Sequence, residues 1–269
     1  MFFSKKNQIS VIRPERLYET SKFILKLASS KQEIEKAYRL RYQIFNVEKG
    51  LGQSSSVRYE LDFDQFDDLC SHLIVLEKKT ATVVGTYRIN LPKDLDRAPK
   101  AFYSAREYDI VGLEDLADRT MEVGRTCVAP EYRTGTVIAL LWSGIGKLLK
   151  LTKLRYLLGC ASLNTNDPVI AWALYKHFKI SGRMSKMLFA YPREYFAIER
   201  PPDSEIMKAL NDKELMENSI PPLLKAYFRI GANVCGEPVE DKEFKTLDFL
   251  ISVDTKHSPE RYTKRFLER

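Results

Sequence analysis

The stretch that most constrains this chain runs from residue 120 to 178. TMEVGRTCVAP reads as a strand, an Arg-Thr-Gly turn at 133–135 follows, and TGTVIALLWSGIGKLLKLT has the apolar spacing of a helix. LRYLLGCASL is a second strand. Asp167-Pro168 then supplies a cap and a proline at the first position of a helix, DPVIAWALYKHF. Strand, helix, strand and helix in succession call for a sheet with helices packed on it, hence an α/β layered domain.

The flanking sequence extends this pattern. KFILKLAS (22–29) reads as a strand, and Ser30 with Glu33 can cap a helix that ends near Gly50. The acidic stretch 57–68, VRYELDFDQFDD, reads as a loop, and HLIVLEKKTATVVGTYRINL as a hairpin. Residues 92–118 are polar and irregular. KMLFAYPREYF suggests a strand, and 199–218 a charged surface excursion. IPPLLKAYFRIGA reads as a helix, NVCGEP and KTLDFLISVD as strands, and SPERYTKRFLER as a short basic helix. We divide the chain into an N-terminal arm (1–21), a core (22–198) and a C-terminal extension packed on the core (199–269).

Composition narrows the class. With 269 residues, 44% hydrophobic and 29% charged, the chain can bury a sizeable core. No apolar run reaches the length of a membrane span, and the N-terminus lacks the apolar core of a signal peptide. A cytoplasmic protein is expected, with room for association with the inner face of the membrane. Cys70, Cys127, Cys160 and Cys235 are widely spaced, and His72, His177 and His257 show no ligand spacing, so neither a disulfide framework nor a metal is expected. Residues 144–200 carry ten Lys/Arg against three acids, a difference equal to the whole net charge of +7. A basic stretch of this kind suits a solvated face, an acidic carrier protein or anionic lipid. No nucleic-acid-binding motif accompanies it.

Two features carry chemistry. Glu122 is a lone carboxylate inside an apolar strand. A buried carboxylate can serve as a general base, and the alternative is an ion pair with Arg125 or Arg88. The turn Arg133-Thr134-Gly135-Thr136 precedes an apolar helix, whose first N–H groups and dipole suit an anion. Packing alone also explains small residues at a helix start.

The order of these pieces resembles the GNAT acyltransferase superfamily. Val128-Ala129-Pro130-Glu131-Tyr132-Arg133-Thr134-Gly135 matches its donor-phosphate turn, with Val137 where a second small residue is usual. Ala171 to Phe178 matches its later helix. The resemblance implies a GNAT-like three-layer fold with a central mixed, mostly antiparallel sheet flanked by helices. R-x-x-x-F (Arg41 to Phe45), D-x-D-x-x-D (Asp62, Asp64, Asp67), Arg88 and E-x-x-R (Glu122 to Arg125) are similar to the acyl-homoserine-lactone synthases. The tryptophan those synthases carry after the phenylalanine is missing here. RYQIFNVEKG, DQFDDLCSHLIV, MEVGRTCVAPEYR, LLGCASL and IPPLLKAYFRIGANVCGEPVEDKEFKTLDFLI look like the first-step ornithine-lipid N-acyltransferases, often labelled hemolysin-like.

That last resemblance implies transfer of a 3-hydroxy fatty acyl group from acyl carrier protein, or from acyl-CoA, to the α-amine of ornithine, lysine or glycine. No permanently bound cofactor is implied. Glu122 becomes the expected base and Tyr175 the acid for the leaving thiol. Backbone N–H groups from Arg125 through Thr126, Cys127 and Val128 become the oxyanion donors, and residues 133–136 the phosphate grip. Arg41, Arg88 and Arg125 are candidates for the substrate carboxylate, Asp62, Asp64 and Asp67 for a side-chain amine, and Phe45 for the pocket wall. Cys127 as an acyl-accepting nucleophile has no histidine nearby in sequence. The alternatives are a homoserine-lactone synthase and a non-catalytic basic protein that binds lipid or nucleic acid.

Overall fold

The computed structural model describes residues 16–52, 54–92 and 102–262. Residues 1–15 of the N-terminal arm, residues 93–101 of the polar tract and the last residues of the C-terminal basic segment lie outside this range.

The described residues hold eleven strands: β1 Tyr18–Glu19, β2 Phe23–Leu27, β3 Ser71–Glu77, β4 Thr82–Asn90, β5 Tyr108–Val111, β6 Thr120–Val128, β7 Tyr156–Ser162, β8 Phe189–Pro192, β9 Asn233–Val234, β10 Val239–Asp241 and β11 Thr246–Asp254. The main sheet runs β1-β2-β3-β4-β6-β7-β11-β10, with β9 also on β11, while β5 and β8 form a separate ribbon. All pairs are antiparallel except β6 with β7, the two strands joined by the helix of the central strand–helix unit. The expected mixed, mostly antiparallel sheet is therefore present.

Helices α1 (Lys31–Tyr42), α2 (Thr136–Thr152), α3 (Pro168–Ile180), α4 (Asp203–Asn211), α5 (Lys213–Ser219) and α6 (Pro222–Arg229) cover the sheet, and a short turn of helix spans Glu260–Tyr262. Ser30 caps α1 and Asp167 caps α3, each side chain accepting from the first turn as their sequence positions predict. Strand alternation assigns the layers. In β3, Leu73 and Val75 pack with α2 residues Leu141 and Ile145, whereas Ile74 packs with Ala37 of α1. In β11, Leu247, Phe249 and Ile251 join α3 to α6, while Leu250 turns to the opposite face with Tyr108 and Leu188.

The segment read as a surface excursion forms α4 and α5, which bury Ile206, Ala209 and Met216 against α3. Their apolar spacing is interrupted by charge, which hid the helical stripe. Residues beyond 199 also place β11 between β7 and β10, inside the main sheet.

Candidate active site

The site begins where β6 and β7 part. Their parallel ladder covers only Thr120 to Glu122 against Tyr156 to Leu158. At the point of separation a side chain at Gly159 would strike the Val123 carbonyl, so only glycine allows the strands this close. Beyond it, β6 bulges against β4 between Thr86 and Arg88, and Arg125 adopts φ 49°, an uncommon backbone for a non-glycine residue. The β7-facing edge of β6 past Glu122 has no ladder partner, which leaves main-chain groups facing a cleft.

That cleft is a cavity of about 600 Å3. It reaches both faces of the sheet: Arg88, Glu122, Cys160, Ser162 and Asp248 line one side, Tyr87, Leu224 and Tyr227 the other. Phe45, Phe66, Tyr103 and Phe244 add aromatic walls, and two exposed lysines, Lys49 and Lys245, also line it. A smaller, strongly apolar chamber of about 70 Å3 lies beside it, lined by Trp142, Ile145, Leu149 and Leu157. The two share Tyr87, Val123, Gly159, Cys160 and Tyr227 as walls.

Glu122 is buried and lines the cavity. It pairs with neither Arg125 nor Arg88. Its Oε1 accepts from the Ser104 amide (2.8 Å) and hydroxyl (2.7 Å), and its Oε2 from the Tyr103 amide (2.7 Å) and, at 3.5 Å, from the Asn90 side chain. The carboxylate thus anchors a 3-10 turn at Ser104–Arg106, and its weakest contact, the 3.5 Å one from Asn90 to Oε2, is the one most readily exchanged for another donor.

The arginines and the aspartates of the acidic loop bind each other. Arg41, at 1% exposure, donates to Asp62 (2.7 Å) and to both oxygens of Asp67 (2.7 and 3.1 Å). Arg88 reaches both oxygens of Asp64 (2.7 and 2.8 Å), and Arg125 donates to the same carboxylate at 2.8 Å. Burial opposes ionisation of Asp64, yet the Arg88 and Arg125 guanidiniums outweigh it and hold its carboxyl well below the usual carboxylate range. Arg88 and Arg125 line the cavity, whereas Arg41 and the three aspartates do not. Arg125 stacks over Phe244 (3.9 Å to the ring centre), and its buried Nε has no hydrogen-bond acceptor.

The other expected residues divide. Phe45 lines the cavity against Phe244 and is turned inward by a π-helical turn at Gln43–Glu48. Thr126 lines it too, but Cys127 and Val128 do not. Cys127 is buried, and burial pushes its thiol up to about 12, so it is a poor nucleophile. Residues 133–136 are exposed at the start of α2 and outside the cavity lining. Gly135, at φ 92°, sets the turn, and Arg133 forks onto Glu48 with two 2.7 Å bonds. Tyr175 is half-buried on α3 against Trp172, away from the cavity lining.

Sequence reading missed a second acidic group. Asp248 lines the cavity beside Ser162, Asp241 lies next to it, and Glu107 stands behind Cys160. Its signal was the one that singled out Glu122: in TLDFLISVD a carboxylate, Asp248, stands inside an apolar strand, with Asp254 at the strand's end. Among the described residues no group of three or more metal-ligating side chains occurs, and no helix is long and apolar enough to cross a membrane.

Comparison with known proteins decides the lineage. Residues 40–143 match the acetyltransferase (GNAT) domain. The chain is 35% identical over 247 residues to the L-ornithine N(alpha)-acyltransferase of Agrobacterium fabrum, spanning 88% of this chain and 82% of that protein. This chain belongs to the L-ornithine N(alpha)-acyltransferase family. The Brucella abortus member is 32% identical, over 88% of this chain and 86% of its own. In fold, the family architecture is shared with the acyl-homoserine-lactone synthase LasI (TM-score 0.50, 11% identity, 91% and 95% coverage). The protein is accordingly an N-acyltransferase with a GNAT-type sheet.

Proposed function

We propose that this enzyme transfers a fatty acyl group from a thioester donor to the α-amine of L-ornithine, giving a lyso-aminolipid. The observation that carries the reading is the 600 Å3 cavity opened by the parting of β6 and β7, with Glu122 in its wall and an apolar chamber adjoining it. The relatives' shared activity supplies the acceptor.

The chemistry follows from the parts. The free α-amine attacks the thioester carbonyl carbon, and main-chain N–H groups on the unpaired edge of β6 receive the developing oxyanion. The amine's proton passes to Glu122 Oε2, directly or through water; as the amide forms, the C–S bond breaks and that proton moves on from Glu122 to the departing thiolate, which restores the carboxylate. Lys49 and Lys245 are the exposed cavity-lining cations open to the substrate carboxylate. The donor's acyl chain lies toward the chamber of Trp142, Ile145, Leu149 and Leu157, an apolar surface adjoining the reaction centre. Its phosphate fits the start of α2, where an anion competes with Glu48 for an exposed Arg133. An exposed ion pair is worth only about 0.2–1 kcal/mol, so the exchange is easy.

We assign acyl carrier protein as the donor, because a single-phosphate pantetheine fits one arginine at this turn. The test supplies 3-hydroxyacyl carrier protein or the matching acyl-CoA with L-ornithine, L-lysine or glycine and reads amides by mass spectrometry. Acyl-ornithine formed faster from the carrier protein supports the proposal. No amide with any amine would end it, and faster transfer from acyl-CoA would remove the carrier protein alone.

A further inference from the structure

An amino acid with a second amine poses a recognition problem that the paired aspartates do not solve. Asp62, Asp64 and Asp67 are already occupied by three arginines and do not line the cavity. The acids around Asp248 differ in this respect. Asp248 is 6% exposed and lines the cavity. Its Oδ2 accepts from the Ser162 hydroxyl at 3.2 Å, while the buried Oδ1 has no partner of good hydrogen-bond geometry; the Thr246 hydroxyl on the same strand lies near enough to favour the ionised carboxylate but makes no such bond itself. A buried acceptor left without a donor costs on the order of 1–3 kcal/mol, more for a charged group.

Its neighbours do not neutralise it. Asp241 also lines the cavity; it accepts from the Tyr103 hydroxyl (3.1 Å) and from the Glu243 and Phe244 amides (2.9 and 3.0 Å). Glu107 is fully buried, accepts from the Cys160 thiol at 3.2 Å and leaves its Oε1 unpartnered. The arginines that act on them, Arg125 and Arg106, are both engaged, with Asp64 (2.8 Å) and Glu243 (3.3 Å), and Lys245, also in the cavity lining, is exposed. Burial, then repulsion from Asp248 and Asp241, pushes Glu107 up to about 8. Burial, with Asp241 adding repulsion, pushes Asp248 up to about 6. A cation placed among these carboxylates relieves both effects.

The register places this group correctly. Glu122 pairs with Leu158 on β7, and Asp248 on β11 pairs with Ser162, so both carboxylates rise from the same face two strands apart. Two strand spacings, about 10 Å, combined with the offset along β7 from Leu158 to Ser162, about 13 Å, set the two backbone positions roughly 16 Å apart. The two carboxylate side chains take up part of that span, and an extended diamino acid hydrogen-bonded at each end bridges the rest.

We propose that Asp248, flanked by Asp241 and backed by Glu107, is the subsite for the side-chain ammonium of the acceptor amino acid. This rests on the ornithine reading above and adds what sets the choice among ornithine, lysine and glycine: the ammonium must reach Asp248 Oδ1 while the α-amine stays at Glu122.

The experiment compares L-ornithine with L-norvaline, the same skeleton without the δ-amine, in the wild type and in Asp248→Asn. The variant is expected to raise the ornithine KM about 10- to 100-fold, as loss of a charge-assisted hydrogen bond implies. Norvaline turnover should stay within about 3-fold, which also reports an intact fold; a merely structural residue would depress both substrates together. An unchanged ornithine-to-norvaline preference overturns the subsite. Thermal shifts of the wild type with each amino acid need no variant: ornithine must stabilise more than norvaline, and equal shifts overturn the proposal. Wild-type enzyme that acylates no ornithine at all removes the parent reading, an outcome distinct from a variant that keeps its preference.

Discussion

Two charged groups flank the reaction centre, and they are built on opposite terms. In the first, Arg41, Arg88 and Arg125 meet Asp62, Asp64 and Asp67 in a balanced cluster bound mostly at 2.7–3.1 Å. Single atoms without a hydrogen-bond partner occur in both groups (Asp62 Oδ2 and Arg125 Nε in the first, Glu107 Oε1 and Asp248 Oδ1 in the second), but in the second Glu107, Asp241 and Asp248 face one another with their negative charge unmatched. A balanced buried cluster fixes geometry: it ties α1 and the acidic loop to β4 and β6 and holds the strained Arg125. An unbalanced one stores affinity for a cation. The difference shows why charge in a motif is a poor guide to ligand binding until its partners are known.

The balanced cluster is expected to yield the largest stability effect. Arg41→Ala removes the arginine hydrogen-bonded to the buried Asp62 and Asp67, leaving them only the longer contacts to Arg125 and Arg88, and should cost about 3–5 kcal/mol, read as a lower urea midpoint. A loss below about 1 kcal/mol would mean that the cluster does not organise the loop.

Glu122→Gln probes the ground between the two groups. The amide keeps the shape but accepts no proton, so kcat should fall about 100-fold or more, with donor binding unchanged. Activity near wild type would leave Glu122 as the anchor of Tyr103 and Ser104 and nothing else.

The smallest effect separates the groups by pH. Asp64 has a depressed folded pKa, so its stabilisation is present above the unfolded value near 4 and is lost as pH falls toward the folded one. Glu107 behaves in reverse. With a folded value about 8 against an ordinary 4.5, the folded state holds the proton longer, and stability falls as pH rises between those values. Glu107→Gln removes that slope. Its stability relative to wild type should grow by on the order of 2–3 kcal/mol from pH 5 to pH 9, measured by urea unfolding at each pH. A constant difference would show that the acidic wall carries no such strain.

Much of this arrangement was legible in the sequence. The central strand–helix alternation set the sheet, Asp167-Pro168 and Ser30 set helix starts, and a carboxylate in an apolar strand pointed to Glu122. The pairing of the arginines was not legible, because Arg41, Arg88 and Arg125 meet Asp62, Asp64 and Asp67 only once α1, β4 and β6 are folded together. Local spacing carries no such information. Nor could spacing show that Ser104 and Tyr103 would reach across 18 and 19 positions to hold Glu122. Asp248 carried the same local signal as Glu122 but was read only as part of a strand; its meaning depends on lying two strands from that residue on the same face.

The most direct measurement is a crystal structure of the enzyme with L-ornithine bound. The account predicts the amino acid inside the cavity between β6 and β7, its α-nitrogen toward Glu122 and its δ-nitrogen within hydrogen-bond distance of Asp248. Ornithine held by Asp62 and Asp64, or bound outside the cavity, would contradict it.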